Sequence, residues 1–289
     1  MRRYLLLTFL IIFISASALL AKNQKELEEI INTIVNEESP AAKEISSPPR
    51  AIQASDNPES GLKVKKGKES KMSSESSPGK ALLETAIQLY DASLYEKSKI
   101  NFTKLKNDYP DEFGDMASTW IAKILMKTNH PEEASKELDS INRDSGEYPT
   151  ALYYQGEVEI NRGNLENAIL CFNNVSSLFP GHELADNALL SSGRIYLDLN
   201  KGNQALESVI KIIKNYKGRE TEDDAFFLLG KIFEGDATLR DFGVARKVYR
   251  KFLKMAEDQS LPNFKDSPLK ERVKQDLNNL EKTYFHYEN

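Results

Sequence analysis

The stretch that decides the fold is ALYYQGEVEINRGNLENAILCFNNVSSLFP, residues 151–180. Apolar residues recur at helical spacing on both sides of Gly163, which predicts two amphipathic helices joined by a tight turn. Gly156 lies in the first of these helices, and Pro180 ends the hairpin because proline cannot continue a helix. Residues 188–216 repeat the same pattern. The stretch is therefore one unit of a repeating helical hairpin.

The same landmarks set the register along most of the chain. A small residue recurs in the first helix of each unit, at Ala86, Ala122, Gly156, Gly193 and Gly230. A second small residue follows at Ser98, Ala134, Ala168, Ala205 and Ala245, and four residues later a large apolar one at Phe102, Leu138, Phe172, Val209 and Tyr249. Antiparallel helices approach closely only where the crossing residues are small. We expect the large residue to fill the gap toward the next hairpin.

One hairpin cannot bury its own apolar face, whereas stacked hairpins bury a continuous core. The sequence therefore predicts an all-α fold over residues 80–289, a right-handed superhelical solenoid of about five hairpins, numbered here as units one to five. Unit five carries the insertion GDATLRD at 235–241, so its turn should be longer. Ser267, Pro268 and Glu271 resemble the start of a further helix, 267–284, that caps the end of the stack.

These landmarks, over about residues 79–256, resemble the tetratricopeptide repeat (TPR) family. The unit junctions NDYPDEFGDMA, SLFPGHELADNA and NYKGRETEDDA are similar to the envelope branch of that family. Within that branch, the sequence resembles two types. They are the CpoB (YbgF)-type periplasmic coordinators of cell division and the BamD-type outer-membrane assembly lipoproteins. The resemblance implies a non-catalytic adaptor that binds a protein or peptide partner in its concave groove.

The N-terminal region has the pattern of an exported protein. Arg2 and Arg3 precede an apolar run, residues 5–21, which predicts a signal peptide over residues 1–21 and an exported, periplasmic or envelope protein. The alternative is an uncleaved anchor in the inner membrane. The apolar residues of 22–39 lie at helical spacing, at Leu27, Ile30, Ile31, Ile34 and Val35. This short helix could pair with a second copy, bind a partner or dock on the repeats.

Residues 40–79 lose this periodicity and are rich in proline and serine, which predicts a disordered linker. Its lysines, between Lys63 and Lys71, are a candidate for weak contact with an anionic membrane or cell wall. The net charge of −5 argues against nucleic acid as the main partner, because neutralising phosphates needs a basic surface.

No pattern in the sequence predicts an active site. The single cysteine, Cys171, is interpreted as a small packing residue, and the three histidines, at 130, 182 and 286, lie far apart. No metal, cofactor or catalytic residue is predicted. An enzyme would need a convergent polar cluster, and the sequence shows none.

The candidate partner-binding residues are positions of the first helices that face the concave side in this architecture. In register with the small residues they are Leu83, Ile87 and Tyr90 in unit one; Tyr153, Glu157, Ile160 and Asn161 in unit three; Asn187, Leu190, Arg194, Leu197 and Asp198 in unit four; and Asp224, Phe227, Lys231 and Glu234 in unit five. This mixture suits an extended peptide. The alternative, a receptor for a small molecule or a cell-wall fragment, predicts a closed pocket between units.

Overall fold

The computed structural model describes Ile31, Thr33 and residues 77–285. Several predictions lie outside the described residues. They concern the export segment, the lysine-rich stretch, His286, and all of residues 22–39 except Ile31 and Thr33. None of the helices in the described part of the chain is long and apolar enough to cross a membrane.

Residues 77–285 form a series of helices and no strand. The helices are α1 (Pro78–Asp91), α2 (Tyr95–Asp108), α3 (Pro110–Lys127), α4 (Pro131–Asp139), α5 (Tyr148–Asn161), α6 (Leu165–Leu178), α7 (Ala185–Asp198), α8 (Gly202–Asn215), α9 (Glu222–Gly235), α10 (Phe242–Glu257), α11 (Pro262–Lys265) and α12 (Lys270–Tyr284). Each helix from α1 to α10 packs against the next, and α12 packs on α10. The predicted all-α solenoid of helical hairpins is confirmed.

The small residues lie at the helix crossings, as their register predicts. The side chains of both small positions are fully buried, for example Ala86 and Ser98, and the Ser98 hydroxyl donates to the Ala86 carbonyl across 2.8 Å. In unit three a Cβ at Gly156 would lie 2.7 Å from the ring of Phe172. The large residue thus fills the space over the glycine of its own hairpin, and it belongs to the same buried cluster as Ala188 and Ile195 of the next hairpin.

The boundaries differ from the prediction at both ends of the array. Helix α1 begins at Pro78, so residues 78–79 belong to the helix and not to the linker. The Ser77 hydroxyl accepts from the amide of Lys80 and caps this helix (3.3 Å). At the other end α12 begins at Lys270, because the Ser267 hydroxyl accepts from the amide of Leu269 and caps a turn instead of a helix. The short helix α11 was not predicted.

The turn of unit five is longer, as the insertion predicts. Helix α9 ends at Gly235 and α10 begins at Phe242. The carboxylate of Asp241 caps α10 by accepting from the amide of Val244 at 3.0 Å. Asp236, at the start of this turn, is buried and holds the turn by accepting from the hydroxyl and amide of Thr238 at 2.6 and 2.8 Å.

The buried apolar residues form three clusters along the array. The N-terminal cluster belongs to α1–α5, the middle cluster to α6 and α7, and the C-terminal cluster to α7–α12. Ile31 is buried within the C-terminal cluster. Between units four and five, the buried carboxylate of Asp186 accepts from Arg219 and from the Thr221 hydroxyl, both at 2.7 Å. These bonds fix the junction of the two units.

Candidate partner-binding groove

The first helices of units one to three, α1, α3 and α5, enclose a cavity of about 560 Å³ that is open to solvent. We call it the N-terminal groove. Its lining residues are Tyr90, Lys123, Met126, Lys127, Tyr153, Tyr154, Glu157 and Asn161. The volume lies in the range of ligand-binding clefts. Because the cavity is open, it does not match the closed pocket that a small-molecule receptor predicts.

Three aromatic rings, two of which line the groove, lie close to the ammonium group of Lys123. Its Nζ lies 3.5 Å from the centre of the Trp120 ring, 5.2 Å from that of Tyr154 and 5.5 Å from that of Tyr90. Trp120 is itself held by stacking on Phe102, with ring centres 5.4 Å apart. Attraction between a cation and aromatic faces fixes the lysine side chain. The groove therefore presents one ammonium group at a defined place.

The charged groups of the groove have no ionic partner in the part of the chain that the structure describes. Among the described residues, Lys123, Lys127 and Glu157 form no ion pair or hydrogen bond. Burial lowers the pKa of Lys123, partly offset by the nearby carboxylates of Asp91 and Glu147. Burial likewise raises the pKa of Glu157. Both groups are partly desolvated, so a ligand that offers complementary charges or dipoles would stabilise them.

The tyrosines of the groove combine apolar rings with hydroxyl groups. Burial raises the pKa of Tyr154 to about 12, so its hydroxyl stays protonated at neutral pH and can donate a hydrogen bond. Burial also raises the pKa of Tyr153, and the nearby side chain of Ser191 partly offsets this shift. The ring of Tyr153 contacts Phe172, with centres 5.4 Å apart. Packing thus holds the ring of Tyr153 in one orientation.

The structure brings four of the predicted binding residues together: Tyr90, Tyr153, Glu157 and Asn161. Sequence reasoning missed the contribution of unit two, for which no groove residue was proposed. The repeat register could have identified this contribution. Three residues of unit two follow Ala122 at the same spacings at which Glu157, Ile160 and Asn161 follow Gly156. They are Lys123, Met126 and Lys127.

The other predicted residues lie outside this groove. Leu83 and Ile87 pack, half-buried, against the N-terminal cluster. Asn187 lines a second cavity of about 520 Å³, which lies between the loop that precedes unit four and the loop that precedes unit five. Arg194 and Asp224 form an ion pair across 2.5 Å, so each neutralises the other.

The remaining candidates lie toward the C-terminal end. Asp198 is exposed, and the Phe227 ring is 6.5 Å from that of Tyr249. Lys231 pairs with Glu234 at 2.8 Å and lies 3.6 Å from Asp276 of α12. Ile160 and Leu197 are half-buried against the middle and C-terminal clusters.

The expectation that Leu190 faces an open groove is wrong. Its side chain is only 5% exposed and belongs to the C-terminal cluster. The predicted set as a whole is therefore divided between one groove, one junction cavity and several intramolecular contacts.

Cys171 shows none of the features of a reactive thiol. The residue is half-buried, and burial raises the pKa of its thiol to about 11. A thiol with so high a pKa is protonated at neutral pH, and it is the thiolate that reacts. Within the described residues, no group of His, Cys, Asp or Glu side chains is arranged to hold a metal ion.

Comparison with known proteins supports this fold. Residues 150–182, in unit three, match the family profile of the tetratricopeptide repeat. Pseudomonas aeruginosa PilF is similar in structure, with a TM-score of 0.50 and 16% sequence identity over 73% of this chain and 95% of PilF. A comparison with curated proteins found no sequence relative.

Two further solved structures match less well. The MamA protein has a TM-score of 0.49 and 17% identity, covering 63% of this chain and 95% of MamA. A thermophilic TPR protein from Thermus thermophilus has a TM-score of 0.46 and 14% identity, covering 70% of this chain and 98% of that protein. The repeat profile matched in unit three and the likeness to PilF show the fold of a TPR-type helical scaffold, an architecture that generally mediates protein–protein interactions.

Proposed function

We propose that the protein is a non-catalytic adaptor that binds an extended segment of a protein partner in the N-terminal groove. The observation that carries this proposal is the set of charged groups, Lys123, Lys127 and Glu157, that line one open cavity without an ionic partner among residues 77–285. An open groove with aromatic walls and fixed polar groups suits an extended chain, whose backbone offers both donors and acceptors.

Each part of the groove has a definite role in this proposal. The rings of Tyr90, Tyr153 and Tyr154 supply rigid apolar area for side chains of the segment. Lys123 and Lys127 donate to carbonyl or carboxylate oxygens, and Glu157 accepts from backbone N–H groups or a basic side chain. The Asn161 amide, at the exposed rim, both donates and accepts. Only binding and positioning are required, with no covalent step.

We also propose that this adaptor is exported and acts in the assembly of a bacterial envelope or in cell division. Support comes from the sequence: the signal-like residues 1–21 and the unit junctions that resemble the envelope branch of the family. The mass of the N-terminal peptide from the purified native protein tests this, since cleavage after residue 18 or 21 gives a defined start. An intact N-terminus found in the membrane fraction supports the anchored alternative.

The binding proposal is tested with two exposed positions at the rim, because their replacement leaves the fold intact. The double variant Lys127→Glu with Asn161→Ala should recover its partners from envelope extract about tenfold less well than the unchanged protein, as judged by quantitative mass spectrometry. A reversed charge at the rim repels a segment that Lys127 attracts.

The matched control is Lys214→Glu, the same charge reversal at an exposed position of α8, away from the groove. It should recover the same proteins as the unchanged chain. Equal recovery by the groove variant and the control would refute binding in the N-terminal groove. Saturable binding of a small metabolite, with no protein recovered, would favour the receptor alternative.

A further inference from the structure

Ile31 is far from the repeats in sequence but is buried among them in the structure. Its backbone is helical, its side chain is 6% exposed, and it belongs to the C-terminal cluster, whose other members come from α7–α12. The intervening positions 32–76 are long enough to connect this place to α1, since an extended chain covers roughly 3.3–3.6 Å per residue. Part of the chain that precedes the repeats therefore contributes to the core of their C-terminal half.

Leu190 is a first-helix residue that is buried in the same cluster as Ile31. Leu190 stands three residues before the small residue of unit four, as Tyr153 does in unit three and Phe227 in unit five. Tyr153 and Phe227 are half-exposed, whereas Leu190 is buried in the cluster that contains Ile31. At this position the residue is thus buried in unit four and in unit two, where it is Thr119, and half-exposed in units one, three and five.

We propose that residues 22–39 are an intramolecular ligand that docks on the first-helix face of units four and five. The apolar residues of this segment lie at helical spacing, and Ile31 is the one that the structure describes. Such spacing is typical of an amphipathic helix that binds in an apolar groove. A second copy or a separate partner could offer the same chemistry, but a segment of the same chain has the advantage of an effective concentration of about millimolar or more. Among the three roles open for this segment, docking on the repeats is the one that the burial of Ile31 supports.

Intramolecular docking divides the concave surface into two parts. The chain itself occupies part of the face of units four and five, where Arg194 and Asp224 also neutralise each other. The N-terminal groove stays available to a partner. The region before the repeats is then held near unit four, not near α1, so a partner in the groove and the N-terminus lie on different units.

The first test is hydrogen exchange of the full chain, measured by mass spectrometry, with the variant Ile31→Asp. The charge should release the segment, and exchange in α7 and α9 should rise about tenfold or more while α1 and α3 stay unchanged, because burial of an isoleucine side chain corresponds to at least that factor. The control Ile100→Asp makes the same change at an exposed position of α2 and should leave α7 and α9 unchanged. Unaltered exchange of α7 and α9 in Ile31→Asp would overturn the proposal.

A second test does not depend on the stability of a variant. A photo-crosslinking residue in place of Ile31, in a mixture of isotopically light and heavy chains, should form crosslinks to residues 185–235 within one chain. Crosslinks between light and heavy chains would show that the segment docks on a second copy, and crosslinks to units one to three would place it elsewhere. Either result overturns the proposal.

Discussion

The ring of Tyr249 fits inside unit five only because residue 230 has no side chain. A Cβ at Gly230 would overlap this ring, and the Tyr249 hydroxyl donates to the Glu234 carboxylate across 2.7 Å, which holds the ring in place. Tyr249 is fully buried. The glycine is therefore required by packing, although glycine disfavours a helix by about 1 kcal/mol relative to alanine.

Replacing Gly230 by alanine should destabilise the protein by about 1–3 kcal/mol, because overpacking outweighs the gain in helix propensity. Denaturant unfolding followed by circular dichroism measures this difference. The control is Gly235→Ala in the same helix, where a Cβ meets nothing within 4 Å. The control should be neutral or slightly stabilising. Equal stability of the two variants would contradict the packing that we describe for unit five.

Glu157 should make stability depend on pH. Burial raises the pKa of this carboxyl in the folded state above its value in the unfolded state. As the pH rises through these two values, ionisation therefore lowers the stability of the fold. Glu157→Gln should therefore raise Tm by about 1–3 °C near neutral pH, and the difference should vanish at about pH 3.5. Glu133→Gln, at an exposed position of α4, is the control and should have no effect at either pH. A Tm gain that persists at low pH would show that the cause is not the ionisation of Glu157.

At the scale of elements, the N-terminus of α8 depends on the next unit. Helix α8 begins at Gly202 and has no side-chain cap of its own. The carboxylate of Asp236, from the turn of unit five, lies so close that a Cβ at Gly202 would overlap it. Burial raises the pKa of Asp236, but hydrogen bonds from Thr238 and Leu239, together with the nearby amide of Gly202, outweigh it and lower the pKa. An ionised carboxylate from one unit thus lies at a helix N-terminus of another, where negative charge is favourable.

Asp236→Asn should therefore destabilise the protein by about 1–3 kcal/mol at neutral pH, the cost of losing hydrogen bonds to a charged group. Because the folded pKa is lowered, the stability that Asp236 contributes is present above its unfolded pKa and is lost as the pH falls through the folded one. Urea unfolding of both proteins between about pH 7 and pH 3 should show the difference shrinking with acid. A constant difference would mean that Asp236 acts through shape and not charge.

The elements also show why sequence predicted the fold better than the binding site. The small residues, such as Gly193 and Ala205, act through helix crossings within one hairpin, so their spacing in the sequence was sufficient. The pairing of Arg194 with Asp224 depends on how neighbouring units are rotated, which no local spacing encodes. The burial of Leu190 could not be predicted either, because it involves a cluster that includes Ile31.

At the scale of the whole molecule, stability is divided among the three clusters. In a solenoid each unit contacts only its neighbours, so a change at one end reaches the other end only through the units between. Helix α12 covers the last unit by burying Val273 and Leu280 against the C-terminal cluster. The N-terminal groove belongs to another cluster, at the opposite end of the array.

Val273→Asp should release α12 and leave the N-terminal groove intact. A buried charge without a partner costs about 3 kcal/mol or more, so α12 and α10 should lose their hydrogen-exchange protection while α1–α4 keep theirs. Gln275→Asp introduces the same side chain at an exposed position of α12 and should change neither region. Partner recovery through the groove should also survive in Val273→Asp, because the two clusters are separated by the middle one. Uniform loss of protection from α1 to α12 would show instead that the array unfolds as one unit, which nearest-neighbour packing does not predict.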